Sequence, residues 1–403
     1  MTPISEEARQ LQEETMLWRR TLHQMPETQL VLPQTAAFVE SRLREMGIDV
    51  QKFDGHSGMT AYIGHGGKTV AIRADMDGLP IKEESGVPFA SRNGNMHACG
   101  HDAHTAMLLT AAKLLKTHER ELCGTIKLIF EPGEERPGGA LPMVEAGVMD
   151  DVDYILAAHV GELTGYFGPG QIAVSYTDTF ASSDRVEIDI SGKGGHASVP
   201  AQCVDPISIA TLVMNNLQYI ISREIDAHDS AVFTIGAISA GNMTACNVIP
   251  DSASLLANIR AALPETKDYL KKRIVEISEA TAAMMKGRAE VRFHGFPALV
   301  NDKAVVESFL TSARKVLAED EINILSHGIM AGEDAAFFFE KAPGCYFLLA
   351  NSIPCPADGR RYGHHNAKFC IDDSVLWRSS ALLALAAMDL LEKPPVPTKK
   401  YRD

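Results

Sequence analysis

Residues 96–108 read MHACGHDAHTAML and concentrate metal-ligand side chains against the start of a predicted helix. Three histidines, one cysteine and one aspartate fall within the eight positions 97–104. The Ala- and Leu-rich residues that follow, to about 116, have the periodicity of an α-helix. A helix N-terminus stabilises negative charge, so this position favours the thiolate form of Cys99. The stretch therefore predicts a metal site at the start of a helix.

The segments around this stretch predict an α/β fold with a mostly parallel sheet. Three continuous apolar runs have the sequence of strands buried on both faces: TVAIRAD (69–75), GTIKLIFEP (124–132) and YILAAHV (154–160). Helical periodicity covers 5–25, 34–46 and 373–392. Strands that alternate with helices favour a parallel sheet with helices on its faces. The polar, proline-rich end KPPVPTKKYRD predicts a frayed tail.

A second domain is predicted inside the first. From residue 184 the sequence alternates apolar and polar residues (RVEIDISG), and helices are predicted at 204–222 and 265–286. The resulting order β-α-β-β-α-β is that of a ferredoxin-like sandwich. Because α/β character resumes after Pro297, we assign residues 184–296 to an inserted α+β domain. The surrounding domain then comprises 1–183 and 297–403.

Ligands bind at the carboxyl ends of strands in open α/β sheets, and the predicted strands deliver polar groups there. The groups at the strand ends are Asp75, Asp77, Glu131, Glu134, Glu135 and His159, and the loop before the helix adds Cys99 and His101. Thiolate, imidazole and carboxylate together suit a divalent ion such as Zn, Ni, Co or Mn. In a strand-to-loop turn the two adjacent glutamates point in different directions. One can bind metal while the other serves as a general base.

Simpler explanations exist for each part of this site. Cys99 alone would be a buried thiol, the glutamate pair an exposed acidic loop, and the histidines at 364 and 365 a surface pair. His196, in SGKGGHASVP, would only make a turn. The convergence of several ligand types at one edge of the sheet favours the metal site.

Composition excludes some partners and favours one compartment. The formal net charge of −14 is unfavourable for nucleic-acid binding, which requires a basic surface. Seven scattered cysteines do not form a disulfide framework, and reduced thiols indicate the cytoplasm. Apolar runs are too short for a membrane span, and the acidic N-terminus is unlike a signal peptide. We therefore expect a cytoplasmic protein with no membrane or nucleic-acid partner.

A series of motifs along almost the whole chain resembles one enzyme family. In order they are HQMPE (23–27), RADMDGLP, MHACGHDAH, EPGEE, AAHV, GKGGHA, NVIPD, GEDAAFF and HNAKF. The series is similar to that of the metal-dependent amidohydrolases related to aminoacylase and carboxypeptidase G. Within them it resembles the branch of hippurate hydrolases, indoleacetyl-amino-acid hydrolases and N-acetyldiaminopimelate deacetylase. The resemblance implies a zinc-peptidase-like catalytic domain, with 184–296 as a lid and dimerisation domain.

The resemblance also implies a metal centre and a homodimer. Each subunit would bind two divalent ions, Mn or Zn, with Co or Ni as alternatives. The implied ligands are Cys99, His101, Glu135, His159 and His365. The homodimer would form through the lid domain.

Further roles follow from the same resemblance. Glu134 would be the general base, and Asp75 an assisting acid behind the metals. His196 would stabilise the oxyanion, in many relatives from the partner subunit. Asn247 and Arg260 would contact the substrate or support the lid loop.

The expected reaction is hydrolysis of the amide bond of an N-acyl or aryl-acyl amino acid, a small-molecule or peptide-like substrate. A dipeptidase, a carboxypeptidase or a hydrolytic deaminase would keep the same metal centre. A non-catalytic binding protein is disfavoured by the intact Glu134. Three departures from the branch concern the substrate pocket: Ala201 replaces a second lid histidine, GELTGYFGPG after His159 lacks the usual proline-rich form, and TQLVL follows HQMPE in place of the usual LxF or LGF.

Overall fold

The computed structural model describes residues 2–136, 138–165 and 167–398. The chain divides into two compact units. The first comprises Met1–Thr179, Asn301–His327 and Asp334–Asp403, and the second comprises Phe180–Val300 and Gly328–Glu333. The second unit contains the whole of the segment 184–296, with boundaries at 180 and 300. It also contains residues 328–333, which the sequence placed in the surrounding domain.

The helices are α1 (Pro3–Gln10), α2 (Gln12–His23), α3 (Pro33–Glu45), α4 (His101–Thr117), α5 (Ala140–Glu145), α6 (Pro206–Tyr219), α7 (Pro264–Met284), α8 (Lys303–Ala313), α9 (Ala336–Phe339) and α10 (Leu376–Glu392). The strands are β1 (Val50–Lys52), β2 (Met59–Gly64), β3 (Thr69–Asp75), β4 (Thr125–Glu131), β5 (Tyr154–Val160), β6 (Ile172–Ser175), β7 (Asp178–Phe180), β8 (Ser182–Ser191), β9 (Gly195–His196), β10 (Ala231–Ala240), β11 (Val248–Ile249), β12 (Ser252–Ala261), β13 (Arg288–Phe296), β14 (Leu299–Val300), β15 (Ile322–Leu325) and β16 (Gly344–Leu349). Short 3₁₀ turns cover Glu119–Glu121, Pro200–Gln202, Glu319–Glu321 and Asp373–Val375, and a π turn covers Ile220–Glu224.

Proline and turn geometry set several helix boundaries. Helices α1, α3, α6 and α7 each begin at a proline, whose fixed φ and missing N–H suit the first turn. The predicted helix over 5–25 is two helices, because Leu11 between α1 and α2 has ψ of −1° and interrupts the regular helical geometry.

The first unit is built on an eight-stranded sheet with the order β1-β2-β4-β3-β5-β16-β6-β15. The pairs β4–β3, β3–β5, β5–β16 and β6–β15 are parallel. The pairs β1–β2, β2–β4 and β16–β6 are antiparallel. All residues of β3, β5 and β16 are buried, which explains their uninterrupted apolar sequences. The predicted α/β fold is confirmed, with the parallel pairs concentrated in the centre of the sheet.

Three strand ends meet at one edge of this sheet. Strand β3 pairs with β4 so that Asp75 lies opposite Glu131, and β5 pairs with the other side of β3. Helix α4 packs on β3, and Thr105 Oγ1 donates a hydrogen bond to Asp75 O at 2.9 Å. The start of α4 is therefore held beside the carboxyl ends of the central strands.

The second unit has the element order β8-α6-β10-β12-α7-β13. Its four-stranded sheet is antiparallel with the order β10-β12-β8-β13, which is the strand order 2-3-1-4. This arrangement is that of a ferredoxin-like sandwich. Inward residues of the sheet, such as Val186 and Ile188, form a separate core with α6 and α7. A small two-stranded antiparallel sheet of β9 and β11 pairs His196 with Val248.

The C-terminal helix and the residues after it each differ from the sequence expectation. The segment Asp373–Glu392 is long and apolar enough to cross a membrane, but 67% of its most apolar window is buried inside the protein. It packs on α1, α4 and α8, so core packing explains its composition. The residues after it are docked, since Tyr154 Oη donates to Pro395 O at 2.7 Å and Thr398 N donates to Asp302 Oδ2 at 2.8 Å. The rest of the predicted tail, 399–403, lies outside the described residues.

Candidate metal centre

The turn that begins α4 depends on a glycine. Gly100 has a left-handed φ of 90°. A Cβ at this position would lie 2.4 Å from Val160 Cγ2, so only glycine suits both the backbone angle and the close approach to β5. The turn thereby brings Cys99 and His101, on either side of Gly100, to His159 of β5.

Cys99, His101 and His159 form one group whose ligand atoms lie within 4.8 Å of one another. His101 Nδ1 lies 3.2 Å from Asp77 Oδ1, and because a carboxylate only accepts, Nδ1 donates and Nε2 is left to bind a metal. His159 Nδ1 donates to Val160 O at 2.7 Å, and its Nε2 lies 3.5 Å from Cys99 Sγ. Each ring is oriented by a hydrogen bond on one nitrogen, as is usual for metal-ligating histidines.

Cys99, Glu135 and His365 form a second group with the same spacing. His365 Nε2 lies 2.9 Å from Glu135 Oε1, and the His365 backbone N–H donates to Ala98 O at 2.9 Å. The side chain of the neighbouring His364 is instead hydrogen-bonded to the backbone, since its Nε2 donates to Val160 O at 2.9 Å. Cys99 belongs to both groups, so its sulfur would be available as a ligand at either position.

Glu134 lies in a further group with His101 and Glu135. Its Oε2 is 3.9 Å from His101 Nε2, and its side chain is 12% exposed, whereas that of His101 is 1% exposed. Glu134 therefore combines closeness to a buried ligand with access from solvent, but the Glu135 side chain is also 12% exposed, so exposure does not distinguish the two acids.

Asp77 connects the two segments that carry these residues. It accepts the His101 Nδ1 hydrogen bond on Oδ1, and it also accepts the backbone N–H of Glu134 on Oδ1 at 3.0 Å and that of Glu135 on Oδ2 at 3.2 Å. One carboxylate thus fixes a ring on α4 and the acidic loop after β4. The sequence placed Asp77 at this edge of the sheet but assigned it no role in the site. The available signal was the spacing of Asp75 and Asp77 in RADMDGLP, because residues i and i+2 of an extended chain share a face.

Asp75 occupies a buried layer behind the ligand groups. It accepts from His104 Nδ1 at 2.6 Å and from Arg73 Nη1 at 2.9 Å. His104 Nε2 accepts the N–H of Val160 at 2.9 Å, so both nitrogens of His104 are engaged. Asp75, His101 and His104 also lie close together, but His104 has no lone pair left with which to bind a metal. Asp75 instead braces the start of α4 against β5 through His104.

Buried carboxylates control the protonation of His101. Burial disfavours its charged form, but Asp75 and the hydrogen bond to Asp77 outweigh burial and raise the pKa of His101 to about 10. Without a metal ion, the site therefore holds a proton on this ring.

The same surroundings act on the thiol. Burial, followed by the carboxylates of Glu135 and Glu134, raises the pKa of Cys99 well above its ordinary value. The expectation that the helix start favours the thiolate is therefore wrong for the protein groups alone. The partial charge at a helix end is smaller than the full charges of these nearby carboxylates.

The residues present fit two divalent ions. His101 Nε2 is buried and makes no hydrogen bond, which is a cost that coordination of a cation would remove. The two groups offer sulfur, nitrogen and carboxylate oxygen, a donor set suited to divalent transition metals. A cation would also offset the negative charge that keeps His101 and Cys99 protonated.

The remaining predicted site residues lie in the second unit. His196 is exposed on β9 and its Nδ1 accepts the Ser198 N–H at 3.1 Å. Asn247 O accepts the N–H of Ala197 at 3.0 Å, so it supports the loop of His196. Arg260 Nη1 donates to Met330 O at 3.0 Å. Their roles towards a substrate stay predictions.

The fold and the two ligand groups define a metal-dependent hydrolase, and the chain belongs to peptidase family M20/M25/M40, whose model matches residues 71–389. It is similar to the IAA-amino acid hydrolase ILR1-like 5 of Arabidopsis thaliana, with 37% identity over 390 residues, covering 94% of this chain and 88% of that protein. It is also similar to the N-acetyl-L-cysteine deacetylase of Bacillus subtilis, with 35% identity over 379 residues and coverage of 93% and 87%. A solved dinuclear metal-binding peptidase of the M20 family from Bacillus subtilis has a TM-score of 0.80 and 30% identity, covering 95% of this chain and 99% of that one.

These similarities confirm the predicted family and the predicted class of enzyme. The dinuclear structural relative and the two groups that share Cys99 support two metal ions. The individual residue roles stay predictions, although the structure brings all five implied ligands together.

Proposed function

We propose that this enzyme hydrolyses the amide bond of N-acyl or aryl-acyl amino acids. The observation that carries the proposal is the placement of Glu134 beside His101 and Glu135, in a group next to the two that share Cys99. The relatives named for IAA-amino acid hydrolysis and N-acetyl-L-cysteine deacetylation support this substrate class.

Glu134 is the proton carrier in this proposal. Two divalent ions, when bound, would acidify a water molecule and polarise the amide carbonyl. Glu134 takes the proton of the attacking water and hands it to the leaving amine. Asp77 holds the backbone at Glu134 and Glu135, so the base and the neighbouring ligand keep a fixed relation to each other.

The metals are proposed to be Mn or Zn, with Co or Ni as alternatives. A cysteine, histidines and a glutamate supply soft, borderline and hard donors in one centre, and this mixture suits all four ions. Measuring kcat/KM after reconstitution of the metal-free enzyme with each ion would rank them.

His196 is proposed to stabilise the oxyanion. Because Ser198 N–H donates to His196 Nδ1, the neutral ring carries its hydrogen on Nε2. A donor at Nε2 is what a developing oxyanion requires. Replacing His196 with alanine should lower kcat by about two to three orders of magnitude with metal content unchanged. Unchanged kcat would assign this histidine to the turn alone.

The second unit is proposed to be a lid and the interface of a homodimer. Edge strand β10 and helix α6 expose large apolar side chains, and so do the loop and strand that precede Asp251. They are Ile207, Tyr219, Val232, Ile238, Met243 and Val248. Such a concentration on one unit is typical of a protein interface. Mixing inactive Glu134→Gln with inactive His196→Ala tests whether His196 acts on the active site of the partner subunit. Recovered activity would require a site to which both subunits contribute.

The cytoplasm is proposed as the location. All seven cysteines are free thiols, which fits a reducing compartment.

A substrate panel tests the central proposal. We expect turnover of N-acetyl, N-benzoyl or indoleacetyl amino acids, and loss of that turnover in Glu134→Gln. Preferential cleavage of free dipeptides would instead identify a dipeptidase or carboxypeptidase, an alternative that the relative named as a peptidase supports. Ammonia release from an aromatic amine would identify a hydrolytic deaminase.

A further inference from the structure

We propose that His23 is a positioning residue that couples the two chain segments on which the metal ligands lie. The inference rests on the ligand assignment in the proposed function. One segment is the start of α4 with Cys99 and His101, and the other is the loop that carries His365. His23 itself touches neither the substrate nor a metal ligand.

His23 is a buried imidazolium between two carboxylates. Its side chain is 3% exposed, Nδ1 lies 2.8 Å from Asp102 Oδ2, and Nε2 lies 3.1 Å from Glu83 Oε1. Carboxylates only accept, so both ring nitrogens carry hydrogen and the ring is charged. Burial lowers the pKa of His23, and so does Arg19, whose Nη2 lies 3.4 Å from Nδ1; Asp102 and Glu83 raise it, and the balance lies above the ordinary value.

The Asp102 end of this bridge holds the first turn of α4. Asp102 follows His101 directly and also accepts from Arg19 Nε at 2.7 Å. The turn is thus fixed from two sides, by Asp77 on the ring of His101 and by the two cations of α2 on Asp102. A change in the position of Asp102 would carry His101 with it, because the two residues are adjacent in one helical turn.

The Glu83 end holds the loop of His365. Glu83 also accepts hydrogen bonds from the Ser85 hydroxyl and, at 2.6 Å, from the N–H of Ser91, so its own segment is fixed around it. The next residue, Glu84, donates its N–H to Ala367 O at 2.8 Å. Ala367 lies two residues after His365. His23 is therefore the charged link in a continuous path from the α4 ligands to the His365 segment.

Imidazolium suits this link because it donates in two divergent directions from one rigid ring. A glutamine can donate to one of the two carboxylates, but its oxygen would face the other carboxylate and repel it. We therefore expect His23→Gln to leave Asp102 or Glu83 without its partner. Both are buried, with side chains 0% exposed, so neither can turn to water without moving its segment.

The test is metal affinity of the full-length protein, measured by chelator competition with Mn and with Zn. We expect His23→Gln to weaken binding of at least one ion by about tenfold or more. Saturating metal should restore most of kcat, because no catalytic group is changed. His65→Gln, an exposed histidine of the same unit, is the matched control and should bind like the wild type.

A purely structural His23 would give a different result. Unchanged affinity for both ions, with the unfolding temperature lowered equally with and without metal, would overturn the inference. If His23→Gln does not fold, Glu83→Gln serves the same test, since it keeps an oxygen for His23 and removes one charge. We expect a several-fold loss of affinity in that variant, and unchanged affinity would likewise overturn the inference. Failure of the wild type to bind two ions would instead contradict the proposed function.

Discussion

Replacing Asp77 with asparagine should weaken the metal centre without removing a metal ligand. The Asp77 carboxylate accepts from His101 Nδ1 at 3.2 Å, from the N–H of Glu134 at 3.0 Å and from the N–H of Glu135 at 3.2 Å. In the variant, one of the two oxygens becomes an NH₂ group that cannot accept. The orientation that keeps Oδ1 as oxygen retains two of the three bonds and sets two donors against each other at Glu135.

The magnitude follows from these three bonds. A buried donor that loses its acceptor costs about 1–3 kcal/mol of folding free energy. Loss of the negative partner of a metal-binding histidine typically weakens metal binding by about 10–100-fold. That factor corresponds to about 1.4–2.7 kcal/mol of binding free energy. Because Asp77 serves both His101 and the loop of Glu134, kcat should fall as well, even at saturating metal.

Metal dissociation constants from chelator competition, together with kcat at saturating metal, would measure both effects. Asp49→Asn is the matched control, since Asp49 is exposed in the same unit and should change neither quantity. A folded Asp77→Asn enzyme with wild-type affinity for both ions and wild-type kcat would refute the reasoning.

Other substitutions separate the remaining roles. Cys99→Ser should lose at least one ion, because the shared thiolate is removed, and tightly held metal in elemental analysis would contradict the assignment. Glu134→Gln should keep its metals and lose turnover by about 10²–10⁴-fold, whereas Glu135→Gln should lose metal, and the opposite pattern would reverse the two roles. Gly100→Ala should lower the free energy of unfolding by about 2–4 kcal/mol in denaturant titration, since it adds a left-handed penalty to a clash with Val160. Metal affinity should rise with pH by up to about tenfold per unit for each proton lost from His101 and Cys99, and a flat profile between pH 6 and 9 would contradict the raised pKa values.

The central sheet and half of the site could be predicted because their signals are local. Strands β3, β4 and β5 are uninterrupted apolar runs, and the residues at their ends lie at one edge as soon as the sheet is parallel. Cys99 and His101 precede a helix that packs on β3. His365 is different: it follows β16 in an irregular loop, its φ is 62°, and only the resemblance to a family identified it.

The features of the site that the sequence did not predict depend on which side chains face each other in the fold. HQMPE was recognised as a motif, but its histidine bridges Asp102 and Glu83, and its Glu27 accepts the N–H groups of Gln34 and Thr35 at the start of α3. Neither role follows from spacing along the chain. The protonation of Cys99 was predicted wrongly for the same reason, because the sequence showed the nearby helix start and not the carboxylates that come from other strands.

The charges of the site explain why protons and metal ions compete for it. Arg73 is buried among three carboxylates, at 2.9 Å from Asp75, 2.6 Å from Glu131 and 3.5 Å from Asp334. The carboxylates that act on His101 are Asp75 and Asp77, followed by Glu135, and their effect is strong because the region is shielded from water. His101 responds by holding a proton, with its pKa raised to about 10, and Cys99 by keeping its hydrogen. Metal ions must displace both protons, and in doing so they supply the positive charge that this edge of the sheet lacks. The ions therefore complete the electrostatics of the fold at the place where they supply the chemistry, which is why metal binding should strengthen as the pH rises and the ions should be released in acid.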